Sequence, residues 1–123
     1  MPRPIIVQNL TRLIQQPARV GFCDSFLCRL RGLVFRARLD REAGLLLVEQ
    51  RDSRLDTSIH MFFVPFDLAV FWINSEKIVV DKVIAKSWHP AYISKAGARY
   101  TLEIHPDRFG DYEIGDQVEF KNV

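Results

Sequence analysis

Ile59-His60-Met61-Phe62-Phe63-Val64-Pro65-Phe66-Asp67-Leu68-Ala69-Val70-Phe71-Trp72-Ile73 is the longest nearly apolar run in the chain, and His60 and Asp67 are its polar interruptions. Proline fixes φ and lacks an N–H, so Pro65 divides the run in two. The first piece, with Met61-Phe62-Phe63, is expected to enter a core. The second, Asp67 to Ile73, is apolar on both alternating faces, as a central strand covered on both sides must be. The rest of the chain is expected to wrap around it.

Strand signals surround this run. Pro4 to Leu10 carries Ile5-Ile6-Val7, Arg19 to Cys23 alternates strictly, and Leu45 to Val48 follows Gly44. Downstream, Asn74 to Lys77 reads as a turn, and Ile78 to Ala85 returns as the second arm of a hairpin. Arg99 to His105 shows the clearest alternation, with Tyr100, Leu102 and Ile104 inward and Arg99, Thr101, Glu103 and His105 outward. Val118 and Phe120 mark a last strand. Gln50 to Ser58 is polar and reads as a surface loop.

One helix is expected, from near Ser25 to near Gly32. Asp24 or Ser25 can accept from an orphan N–H of its first turn, and Gly32 suits its closing residue. Phe26, Leu27 and Leu30 recur at helical spacing, and packing must hold so short a helix in place. With roughly six to eight short strands and one short helix, the chain is expected to be a mainly-β sandwich or partly closed barrel.

Composition narrows the setting. The 123 residues, 48% hydrophobic and 26% charged, fit a single domain over residues 1–123 with a core of its own. A net charge of +2 falls short of the footprint of a dedicated nucleic-acid binder, so nucleic acid is disfavoured as a partner. No run reaches the ~20 apolar residues that span a bilayer. Met1-Pro2-Arg3-Pro4 leads into no apolar signal core, and no membrane association is expected. Cys23 and Cys28 are too few for a disulfide framework; both are expected reduced, one of them packed as a small hydrophobe, in a cytoplasmic protein. Neither their C-x4-C spacing nor His60, His89 and His105 supplies paired metal-ligand spacing, so no metal and no cofactor are expected.

Several segments occur together in order: Arg31-Gly32-Leu33-x-Phe35-Arg36, Gly44-Leu45-Leu46, His60-Met61-x-Phe63-x-Pro65-x-Asp67, Ala98-Arg99-Tyr100-x-Leu102-Glu103 and Gly115-Asp116. The set, spread from about Val20 to Phe120, resembles the prokaryotic family known as domain of unknown function 192. The resemblance implies a compact, mainly-β, jelly-roll-like domain. It implies no agreed activity, cofactor or catalytic residue.

Nucleophile elbows, phosphate loops and paired-histidine metal spacings are absent from the sequence. The candidate binding residues are Arg36, His60, Phe63, Asp67 and Trp88. Phe63, Phe66 and Trp88 would line a pocket, with His60, Asp67 and Arg36 as polar anchors. Asp67 has two readings: a turn residue bonded to amides after Pro65, or a buried carboxylate paired with Arg36 or His60. The arginines Arg29, Arg31, Arg36, Arg38 and Arg41 read as a solvated face ahead of an anion site. The function that follows is a small non-catalytic binding or accessory domain acting on an unidentified ligand or protein partner, as a monomer or weak homo-oligomer. Alternatives are a small enzyme using Asp67 and His60 as an acid–base pair, and an anion or nucleic-acid contact through the arginines.

Overall fold

Alternation decides the architecture. In the strand Leu68–Ile73 all six residues are buried, and its side chains divide between two separate cores. Ala69, Phe71 and Ile73 enter one cluster, and Leu68, Val70 and Trp72 enter the other, so this strand is sealed on both faces. The computed structural model describes residues 2–33 and 38–123. Its strands are β1 (Arg3–Asn9), β2 (Ala18–Cys23), β3 (Gly44–Ser53), β4 (Leu68–Ile73), β5 (Val79–Ala85), β6 (Ala98–Ile104) and β7 (Val118–Asn122). The helix α1 spans Phe26–Arg31, and a 3-10 helix spans Pro106–Asp111.

The strands form one sheet in the order β5-β4-β6-β3-β2-β1-β7, antiparallel except for the β2–β3 pair. The sheet curls into a half-barrel, as the sequence leads one to expect. Its two ends also meet. Ile78 bridges to Gln117, Val79 donates to the Asp116 carbonyl, and Val118 donates to the Lys77 carbonyl, so the entries to β5 and β7 are pinned together. Tyr112 ties another corner: its hydroxyl donates to the Val7 carbonyl at 2.6 Å and accepts from the Ala18 amide at 3.1 Å. Burial pushes this phenol up to about 12.

Gly44 opens β3 because a Cβ there would run into the Glu103 carbonyl oxygen. The strand then continues through Ser53, so the polar stretch from Gln50, expected as loop, begins as strand. Beyond an irregularity after Val48 the pairing with β6 resumes at Ser53 opposite Ala98, and the exposed side chains of Gln50, Arg51 and Asp52 direct the polarity into water.

Ser25 caps α1 by accepting from the Cys28 amide at 3.1 Å, and Gly32 closes it at φ 48°. Two expectations need correction here. Cys23 and Cys28 are not reduced but joined in a disulfide, with Cys23 in the core. The end of β2 and the middle of α1 approach to a Cα separation of 5.5 Å, the ordinary distance for such a bond. Packing also does not hold the helix, since Phe26, Leu27 and Leu30 are exposed and no residue of α1 is buried. The disulfide, the Ser25 cap and Arg29 anchor it instead; the Arg29 guanidinium pairs with Glu49 at 3.0 Å and donates to the Val48 carbonyl.

Candidate functional site

The segment around Pro65 and the loop Lys86–Tyr92 are built as a pair. Ile59 and Tyr92 exchange backbone hydrogen bonds, Met61 donates to the His89 carbonyl at 2.9 Å, and Trp88 donates to the Met61 carbonyl at 3.0 Å. Met61 and Val64 turn inward and are buried. Their neighbours Phe62 and Phe63 therefore turn out and, with Trp88, form an exposed aromatic ridge. Phe63 and Trp88 meet edge to face at 5.1 Å, and the His60 ring lies 5.6 Å from Phe62. Behind the ridge His89 stacks on Tyr92 at 4.4 Å.

Asp67 belongs to the frame of this platform. Its carboxylate accepts from the Ser87 amide at 2.9 Å and from the Lys86 ammonium at 3.3 Å. The Ser87 amide is the main cause holding the carboxyl below its ordinary range; burial opposes it and Lys86 assists. Asp67 is bonded to an amide at a strand entry, as in the first reading, but the amide is that of Ser87 in the 86–92 loop and not one in the turn after Pro65. His60 is not bonded to it, and Arg36 lies outside the described residues. Asp67→Ala should therefore cost about 1 kcal/mol in urea denaturation, since the group is partly exposed and its partners can rehydrate. A loss of about 3 kcal/mol or more would mean that a buried network had been broken.

Beside the platform, the last turn of α1 and the 58–64 segment enclose a cavity of about 80 Å3. Leu30, Arg31, His60, Met61 and Glu103 are among its lining residues. Glu103 is 6% exposed, set in the sheet between Leu45 and Val70. Its carboxyl has no hydrogen-bond or ion-pair partner among the described residues, and burial alone pushes it up to about 7. This corrects the expectation that Glu103 faces outward: α1 and the 58–64 segment cover that face of β6, where Thr101 is also buried. Alternation alone does not reveal such a cover. Its place in the family-like Leu102-Glu103 pair was the signal available.

A larger depression of about 600 Å3 lies on the other side of α1, lined by Pro2, Arg3, Phe22, Leu27 and Cys28 among others. It holds no buried carboxyl comparable to Glu103, and Arg3 is already stacked over Phe22 at 4.3 Å. The smaller cavity carries the chemistry. Among the described residues no three of His, Cys, Asp and Glu are grouped closely enough to hold a metal ion. Of the arginines, Arg29, Arg38 and Arg41 pair with Glu49, Asp40 and Asp107 respectively, and Arg31 is exposed. These described arginines do not converge on one point.

The comparisons agree with this architecture. A UPF0127 protein of Thermococcus sibiricus is 35% identical over 106 residues, covering 84% of this chain and 66% of that protein. A UPF0127 protein of Pyrococcus furiosus is 30% identical over 118 residues, covering 94% and 97%. The chain spans 66%, 65% and 52% of three Thermococcus relatives. Two crystal structures share the fold. A protein of unknown function from Novosphingobium aromaticivorans superposes with a TM-score of 0.76 at 18% identity, over 94% of this chain and 83% of that one. A Sinorhizobium meliloti protein, described as a candidate transcription regulator, gives 0.79 at 17% identity, over 95% and 92%. The model of the family DUF192, described as an uncharacterized ACR, matches residues 8–120, and the chain belongs to that family.

Proposed function

We propose that this protein is a small non-catalytic binding or accessory domain whose partner is received on the paired loops 59–67 and 86–92. The backbone at the ridge is the observation that carries the reading. Phe63 and Trp88 sit at φ 62° and 66°, in the left-handed region that bulky L-residues avoid. Such conformations cost about 1–3 kcal/mol each and persist where the surroundings impose them, often at sites of recognition. Here the strained residues are large, aromatic and about half exposed, with Phe63 at 49% and Trp88 at 53%. Aromatics presented this way supply contact area at low side-chain entropy cost.

The acid–base alternative gains nothing from Asp67, whose oxygens are already engaged by Ser87 and Lys86. The exposed ridge and the absence of converging arginines among the described residues favour a ligand or protein partner over nucleic acid, received by a monomer or weak homo-oligomer. The cytoplasmic setting loses its support from free thiols, since Cys23 and Cys28 are joined and such bonds persist chiefly in oxidising compartments. Among the described residues no helix is long and apolar enough to cross a membrane.

Two measurements test the reading. Trp88→Gly should be more stable than Trp88→Ala by about 1 kcal/mol, because glycine adopts the left-handed conformation freely. Equal stabilities would mean that the backbone is not strained there. In an NMR screen with small amines, amides, carboxylic acids and sugars, shifts should fall on residues 59–67 and 86–92 and vanish in Trp88→Ala. Saturable shifts confined to the opposite face of the sheet would overturn the assignment.

A further inference from the structure

We infer that the cavity between the last turn of α1 and the 58–64 segment is a recognition site for a primary ammonium group, received by the Glu103 carboxylate. The inference rests on the binding role assigned above to the adjoining loops and names the chemistry that they accept.

A carboxyl at 6% exposure normally has a partner, because burying a charge without one is expensive. Among the described residues no fully buried side-chain oxygen lacks one, so the Glu103 oxygens keep access to the cavity that they line. Glu103 has none among the described residues, although its strand neighbours Leu45 and Val70 are ordinary core residues and an apolar side chain would suit the position. The cavity at about 80 Å3 holds more than one water, yet it lies well below the roughly 300 Å3 at which pockets begin to enclose a whole small ligand. It accepts an end group, and the remainder of the molecule must lie outside. Exposed Leu30 on α1 lines its rim, and Phe62 lies 5.6 Å from the lining residue His60. An ammonium on an alkyl stem matches both halves, with the charge against the carboxylate and the stem along the ridge, where aromatic faces also favour cations.

The charged groups facing Glu103 are few. Arg29 lines the cavity but is neutralised by Glu49 at 3.0 Å, and Arg31 is exposed, where solvent screens it. His60 also lines the cavity. Among the described residues, the 58–64 segment, β3, β4 and β6 bring no other charged lining group. Binding should accordingly strengthen as pH rises from about 6 to about 8, as Glu103 ionises.

Three amines identify the source of the group: methylamine for a free small amine, Nα-acetyl-lysine methylamide for a side chain, and glycylglycinamide for a peptide amino terminus. Carbon-13 NMR of the Glu103 carboxyl reads the natural full chain, and backbone amide shifts of residues 58–64 read amine binding in both the natural chain and Glu103→Gln. At least one amine should lower the Glu103 titration midpoint saturably, and Glu103→Gln should weaken that amine roughly tenfold or more. The Nε-acetylated lysine derivative should leave the midpoint unmoved. If none of the three moves the midpoint, or if Glu103→Gln binds as well as the natural chain, the inference falls. If Glu103 stays silent while other compounds shift Phe62 and Trp88, the inference falls and the binding role of the loops stands.

Discussion

Glu103→Gln should be more stable than the natural chain above neutral pH, by up to about 3 kcal/mol near pH 8, and the advantage should fall to about 1 kcal/mol near pH 5 and vanish below about pH 4. Burial lifts the carboxyl from 4.5 to about 7 in the folded chain. The folded state therefore holds a proton that the unfolded state has released, so this group's contribution to stability is complete below about pH 4.5. It is lost as pH rises toward 7 and is constant beyond. At about 1.4 kcal/mol per tenfold change in protonation, the displacement amounts to about 3 kcal/mol. Glutamine keeps the shape and cannot ionise, so its profile should lack this decline. Asp67 and Asp116, both held below their ordinary range, act in the opposite sense and at lower pH. They remain in both proteins and cancel in the difference. Urea denaturation of the two proteins at matched pH values measures it. Parallel profiles between about pH 5 and pH 8 would show that Glu103 is ionised and satisfied in the folded state.

The fold was legible wherever a strand's two faces have different fates, or where both are buried. Leu68–Ile73 announces itself by unbroken apolarity, and the hairpin to β5 by the turn at Asn74 to Lys77. The helix from Ser25 to Gly32 was legible from its two ends. Its sides were misleading: Phe26, Leu27 and Leu30 have helical spacing, yet they face solvent. Periodicity shows that residues share a face and is silent on what covers that face. The disulfide escaped for a related reason. Two cysteines at C-x4-C say nothing of distance until β2 and α1 are placed beside one another.

The platform was half legible. His60, Phe63, Asp67 and Trp88 were candidates from the sequence, and the paired loops bring them to one end of the molecule. The role expected of Asp67 as a buried anchor belongs to a different carboxyl. A lone charge in an apolar run is conspicuous in sequence, but a strand entry lets Asp67 reach the Ser87 amide and water. Glu103 sits among Arg99, Thr101 and His105, where alternation assigns it to solvent. Its burial comes from α1 and the 58–64 segment, which lie far from it in the chain. Such burial is a tertiary property, and strand pattern alone does not carry it.

Asp116→Ala should cost about 3 kcal/mol, the largest loss expected from a single polar truncation in this protein. Asp116 is 2% exposed and gathers four donors: the Asn9 amide at 2.8 Å, the Arg12 guanidinium at 2.9 and 3.1 Å, and the Glu113 backbone N–H at 2.8 Å. Burial by itself would raise this carboxyl, but Arg12, Glu113 and Asn9 together hold it below its ordinary range. Gly115 beside it turns at φ 96°, and the Gly115 amide and Asp116 carbonyl both bond to Val79. The carboxylate thus sits where the two ends of the curled sheet meet, and its loss would leave the buried Asn9 amide short of a partner. Arg12 is half exposed and can return to water, which keeps the cost at the lower end for a broken buried pair. For the same reason Arg12→Ala should cost much less than Asp116→Ala. The double variant should lose less than the sum of the singles, as a shared contact requires. Urea denaturation of the four proteins completes the cycle. A loss below about 1 kcal/mol for Asp116→Ala would mean that the β5–β7 junction holds without it, with the backbone bonds at Val79 and Val118 sufficient to close the half-barrel.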